Sequence, residues 1–97
     1  MGALFTPQAE LDLEEIGDCI AADNPVRAIS FVREFREHCE RISEGPLQYA
    51  KRPELGETVR TCAHGDYLIA FELFQDDAMI LRVLHGMRNA REIFADD

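Results

Sequence analysis

The stretch Tyr67-Leu-Ile-Ala-Phe-Glu-Leu-Phe74, followed by Gln75-Asp-Asp77 and Ala78-Met-Ile-Leu-Arg-Val-Leu84, decides the fold of this chain. Two apolar runs with β-branched and aromatic residues, parted by a short polar turn, predict a β-hairpin. The second run ends in His85-Gly86-Met87-Arg88-Asn89, so a histidine and two arginines, Arg82 and Arg88, stand at the mouth of an apolar sheet. Glu72 is the only charge in residues 67–74. That run therefore reads as a central strand, covered on both faces or partly covered by a partner.

Working outward, Thr58-Val-Arg-Thr-Cys-Ala63 reads as a shorter strand and His64-Gly65-Asp66 as a tight turn, which completes an antiparallel meander. Residues 45–57 hold Pro46, Pro53 and Gly56 without periodicity and read as a loop, with Tyr49, Lys51 and Arg52 at its surface. Two helix starts precede it. Thr6-Pro7 and Asn24-Pro25 each offer a capping side chain followed by proline at the first helical position. Ala9, Leu13, Ile16 and Ile20 give one apolar stripe; Val26, Ile29, Val32, Phe35, Cys39 and Ile42 give another. Gly45-Pro46 stops the second helix.

Residues 7–44 are thus expected to form an antiparallel α-hairpin. Leu4-Phe5 adds an edge strand, and Asn89–Phe94 reads as a short C-terminal helical turn. The expected class is α+β, a hairpin of helices packed on a small antiparallel sheet in the order β-α-α-β-β-β, as one domain over residues 1–97. Glu10, Asp12, Glu14, Glu15 and Asp18 read as a solvated face of the first helix. Arg33/Glu37, Arg36/Glu40 and Glu37/Arg41 are spaced as ion pairs along the second.

The chain carries 19 acidic against 10 basic residues, a net charge of −9. Residues 1–45 hold ten acids and four bases, so the acidity is concentrated in the helices. Nucleic-acid binders need a basic excess to neutralise phosphates, and this charge points instead to a protein partner. With 97 residues and 46% hydrophobic residues the chain can bury one modest core. No segment has the length of apolar sequence that a membrane span needs, and the start Met1-Gly-Ala-Leu-Phe-Thr-Pro7 does not read as a signal peptide, so a cytoplasmic location is expected. Cys19, Cys39 and Cys62 form no CxxC pair and read as small core-filling thiols, with Cys19 and Cys39 at partly buried helical positions. His38 and His64 have no companion at metal-ligand spacing, and neither a metal nor a cofactor is expected.

Six motifs stand in order along the chain: Asp12-Leu-Glu-Glu-Ile-Gly-Asp-Cys-Ile-Ala21, Asn24-Pro-Val-Arg-Ala-Ile29, Gly45-Pro-Leu-Gln-Tyr49, Arg52-Pro-Glu-Leu-Gly56, His64-Gly-Asp-Tyr-Leu-Ile69 and Arg82-Val-Leu-His-Gly-Met-Arg88. Together they resemble the ParE branch of the RelE/ParE toxin superfamily over residues 6–94. The resemblance implies the toxin half of a bacterial type II toxin–antitoxin pair, neutralised by a ParD-like antitoxin that wraps its surface and directed at DNA gyrase. Gly17 and Cys19 depart from the family, whose members often carry aromatic residues there, and so does the acidity.

Leu13, Ile16, Ile20, Phe35, Leu68, Phe71 and Leu73 are the candidates for antitoxin contact or core. Arg82, His85, Arg88 and Arg91 are the candidates for target contact, with the segment Met87–Phe94 the expected contact surface. The RelE branch cleaves mRNA on the ribosome, and that alternative would use Arg60, Arg82 and His85 to hold the phosphate and move a proton. An arginine within an apolar strand needs an acid or a partner; Glu72 across the hairpin is the expected structural counterpart of Arg82. A degenerate, inert antitoxin-binding module is the remaining reading.

Overall fold

A computed structural model describes residues 2–86. The elements are β1 (Ala3–Phe5), α1 (Pro7–Asp23), α2 (Pro25–Glu44), a 3-10 turn over Pro46–Gln48, β2 (Arg60–His64), β3 (Tyr67–Phe74) and β4 (Asp77–Leu84). Both helices begin where the capping chemistry places them. Thr6 Oγ1 accepts from the Ala9 amide at 3.1 Å, and Asn24 Oδ1 accepts from the Arg27 amide at 3.0 Å. Asn24 also closes α1, its own amide donating to Ile20 O at 2.8 Å. One residue therefore ends one helix and starts the next. The helices then double back on each other, with Glu10 against Arg36 and Gly17 against Val32.

The four strands form one sheet in the order β1-β4-β3-β2. β2, β3 and β4 make the expected antiparallel meander, with β3 central. The sheet is mixed, because β1 pairs parallel to β4, Ala3 opposite Ala78 and Phe5 opposite Ile80. The start of α1 fixes that pairing: the Thr6 amide donates to Ile80 O at 3.1 Å and its hydroxyl to Leu81 O at 2.9 Å. The expected C-terminal turn at Asn89–Phe94 lies outside the described residues.

The main core sits between the helices and one face of the sheet. Leu13, Phe31, Phe35, Cys39, Ile42, Ile69, Phe71, Ile80 and Val83 close it. A second, smaller core of Leu55, Val59, Ala70 and Leu84 covers the other face, with Leu68 and Leu81 against it. Residues 55–59 thus lie over the back of β3, which accounts for its nearly unbroken apolar run. Tyr49, expected at the surface, is half-buried with its ring edge-on to Phe71 at 5.8 Å. Arg52 is held by Thr61 Oγ1 at 3.2 Å. Cys39 is buried, Cys62 intermediate, and Cys19 exposed rather than partly buried, because it falls off the apolar stripe of α1. Among the described residues, no helix is long and apolar enough to cross a membrane.

Candidate functional site

Arg82 is the residue that the sequence marks as anomalous, and its partner is Asp12, not Glu72. Arg82 Nε and Nη2 donate to the two carboxylate oxygens of Asp12 at 2.8 and 3.1 Å. Asp12 also accepts from the Val83 amide at 3.0 Å and from Gln8 Nε2 at 3.2 Å. The hydrogen bonds to Asp12 hold the Arg82 guanidinium, raising its pKa. Register explains the choice. Ala70 pairs with Arg82 and Phe71 with Ile80, so Leu81 is the extra residue of a bulge. A bulge re-aims the neighbouring side chain, here towards α1. Glu72 meanwhile pairs with Met79 and accepts from Thr58 Oγ1 at 2.8 Å. Asp12 itself is 7% exposed and is not part of a solvated acidic face. It is a buried clamp between the first helix and the last strand.

The other basic candidates do not gather around it. Arg60 stands opposite Phe71 and donates from Nη1 to Tyr49 O at 2.7 Å, which ties the loop to β2. His85 follows the last residue of β4, its ring 5.1 Å from that of Tyr67. Arg60 and Arg82 are thus engaged with separate parts of the scaffold, on β2 and β4, the two strands that flank β3. Arg88 and Arg91, with the rest of Met87–Phe94, lie outside the described residues.

The seven apolar candidates divide cleanly. Leu13 at 2%, Phe35 at 0% and Phe71 at 0% exposure are core. Ile16 and Ile20 are half-buried along the edge of that core, and Leu68 is half-buried on the second one. Leu73 is exposed. Apolar surface is left open at the end of β3, at Leu73 and Phe74, and on the helices, at Leu11, Val26 and Ile29. An open groove of about 690 Å³ runs between α1 and α2, with Leu13, Ala21, Ala28, Ile29 and Val32 as its apolar lining. Gly17 lets it stay open, because a side chain there would enter it from the α1 wall. Val26 and Ile29, read as part of the inward stripe, are 77% and 70% exposed. The core takes Ala28, Phe31, Phe35, Cys39 and Ile42, and the stripe of α2 is wider than the core needs. Glu10, Glu14 and Asp18 rim the groove on the α1 side, and its one base, Arg36, is paired to Glu10 at 3.0 Å. Arg36 therefore bonds across to α1 rather than to Glu40 on its own helix; Glu40 Oε1 instead accepts from the Ala3 amide at 3.3 Å.

The fold also brings together residues that the sequence keeps apart. His38 Nδ1 on α2 lies 2.7 Å from His64 Nδ1 at the end of β2, and His38 Nε2 lies 3.4 Å from Cys62 Sγ. Burial lowers the pKa of both histidines, and at His38 the neighbouring His64 lowers it further. Burial raises the Cys62 thiol, and pushes Cys39 up to about 12, so neither is a ready nucleophile. Among the described residues no group of three or more His, Cys, Asp or Glu could hold a metal ion. The two nitrogens of His38 point to different neighbours, which is a hydrogen-bond relay and not a ligand set. Histidines 26 positions apart carry no sequence signal of such contact.

Comparison with known proteins bears on what these surfaces serve. The family model described as the ParE toxin of the type II toxin–antitoxin system parDE matches residues 3–90. The chain is similar to a solved structure titled "Chromosomal ParDE TA system from P. aeruginosa", at 25% identity and a TM-score of 0.76, covering 89% of this chain and 96% of that one. A comparison with curated protein sequences finds no match.

Proposed function

This chain belongs to the ParE toxin family of type II toxin–antitoxin systems, and from that premise we propose that it acts in the cytoplasm by binding DNA gyrase and is held inactive by a ParD-like antitoxin. The observation that carries the non-enzymatic reading is the engagement of the sheet arginines. Arg82 is neutralised by the buried Asp12, and Arg60 is spent on a backbone carbonyl. An RNA-cleaving site would need these cations turned towards a phosphate. The charge of −9 works against RNA docking at long range as well.

The groove between α1 and α2 is the seat we assign to the antitoxin. It has the form that receives an amphipathic helix: an apolar lining and a polar rim. Its rim is acidic on the α1 side, so the matching helix carries an apolar stripe flanked by Lys or Arg. Ile16 and Ile20 at the edge of the main core, and Leu73 on β3, remain as further contacts. Target contact falls to the end of β4 and the residues after it, with His85, Arg88 and Arg91.

Incorporation of DNA and protein precursors in the minutes after induced expression in bacteria tests this reading. DNA synthesis falls first if gyrase is the target, and co-expressed antitoxin restores it. Translation collapsing first would overturn it in favour of an mRNA interferase, and unchanged rates would leave an inert antitoxin-binding module.

A further inference from the structure

We propose that His38 and His64 form an acid-sensitive latch that holds the β2–β3 turn against α2 at neutral pH and releases it when both rings carry a proton. The inference does not depend on which target the protein has. Its basis is the contact between like atoms. Two Nδ1 atoms lie 2.7 Å apart. One must donate and the other accept, so the neutral pair has a hydrogen bond in either of two tautomeric arrangements. A first proton leaves it intact, since a doubly protonated imidazolium still donates to a neutral neighbour. A second proton turns both facing atoms into donors and sets two like charges in contact. The hydrogen bond then has no acceptor and the pair must part.

The surroundings sharpen the response. Phe31 and Phe35 pack against the His64 ring, with centroids at 5.5 and 5.1 Å, and shield one side of it from water. Arg41 of α2 disfavours a proton on either ring, and Arg27 disfavours one on His64. Glu34 favours one on His64, yet it is itself bound by Arg27 at 2.9 Å. On β2 the neighbour is Cys62, whose thiol stays protonated; on β3 it is Tyr67, which reaches the cluster through the Phe31 ring at 5.6 Å. Both histidines are driven towards the neutral form by these causes together, burial first.

The place of the latch gives it a consequence. His64 ends β2, Gly65 turns the chain at a φ of 60°, and Tyr67 begins β3. Tyr67 in turn packs its ring against His85, where β4 gives way to the segment assigned to target contact. Release of His64 therefore frees a corner that underlies the exit of the chain from the sheet.

Proton and nitrogen NMR of the imidazole rings from pH 8 to pH 4, read with the backbone amides of Gly65 and Asp66, tests the proposal on the intact chain. The expected result is two protonation steps separated by more than about one pH unit, as for coupled sites. The Gly65 and Asp66 amides should shift with the second step and not with the first. His38→Gln keeps a hydrogen-bonding side chain that cannot be charged, and should remove the amide shift while His64 titrates alone; His64→Gln serves the same purpose should the first variant fail to fold. Independent titration of the two wild-type rings close to 6.5, or amides that stay still through both steps, would overturn the latch.

Discussion

Asp12 is the residue on which the helix hairpin and the sheet depend most directly. It lies in α1 at a position that the sequence presents as one more acid in an acidic run. Four hydrogen bonds from Arg82, Val83 and Gln8 converge on it in a buried site. Removing one member of a buried pair leaves the other charge without its partner, which costs far more than the pair contributes as a unit. Asp12→Ala should lower stability by about 3 kcal/mol, measured by urea denaturation. Arg82→Met should cost a similar amount, because it strands the Asp12 carboxylate, at 8% the more buried of the two, with only the Val83 and Gln8 donors. Equal losses for Asp12→Ala and for exposed neighbours such as Glu14→Ala would refute the clamp. The oddity of Arg82 was legible in the sequence, as a charge within an apolar strand. Its partner was not, because the bulge that turns the side chain towards α1 is a property of strand pairing, and the two residues stand 70 positions apart.

At the scale of elements, helix boundaries were the most legible part of the chain. Thr6-Pro7, Asn24-Pro25 and Gly45-Pro46 each combine a stereochemical constraint with a capping group, and the helices start and stop at them. Asn24→Ala should cost about 1 kcal/mol by thermal unfolding, as losing one cap does, and it should loosen the joint of both helices at once. The parallel pairing of β1 was not legible, since three residues carry no orientation and the bonds of Thr6 to β4 set it. Nor was the groove between the helices, because an apolar stripe does not say how much of itself the core will use. Gly17 makes that groove testable with one methyl group. In a helix interior Gly17→Ala should stabilise the fold by up to about 1 kcal/mol, while the added carbon stands 3.4 Å from Val32 Cγ2 on the wall of the groove. Gly17→Leu, which projects further, should weaken antitoxin binding at least about tenfold, the equivalent of 1.4 kcal/mol, by calorimetry with the purified antitoxin. Unchanged affinity for Gly17→Leu would place the antitoxin elsewhere on the molecule.

The whole molecule carries two long-range properties, its acidity and its histidine pair. Both histidines titrate below their ordinary value in the folded chain, so between that value and the lowered ones the unfolded chain binds more protons. Stability is therefore complete above about pH 6.5 and falls as the pH drops through the lowered values. Urea midpoints measured from pH 8 to pH 5 should decline across that window, and the decline should be smaller in His38→Gln. A flat profile would contradict the burial of the pair. The acidity was fully legible as a count, and its placement along the α1 rim followed once the helix was located. A supercoiling assay with purified gyrase and relaxed plasmid tests whether this fold acts by binding a protein and not by cutting RNA. The chain should block supercoiling, and added antitoxin should restore it; undiminished supercoiling, together with cleavage of mRNA on translating ribosomes, would show that it acts as a nuclease instead.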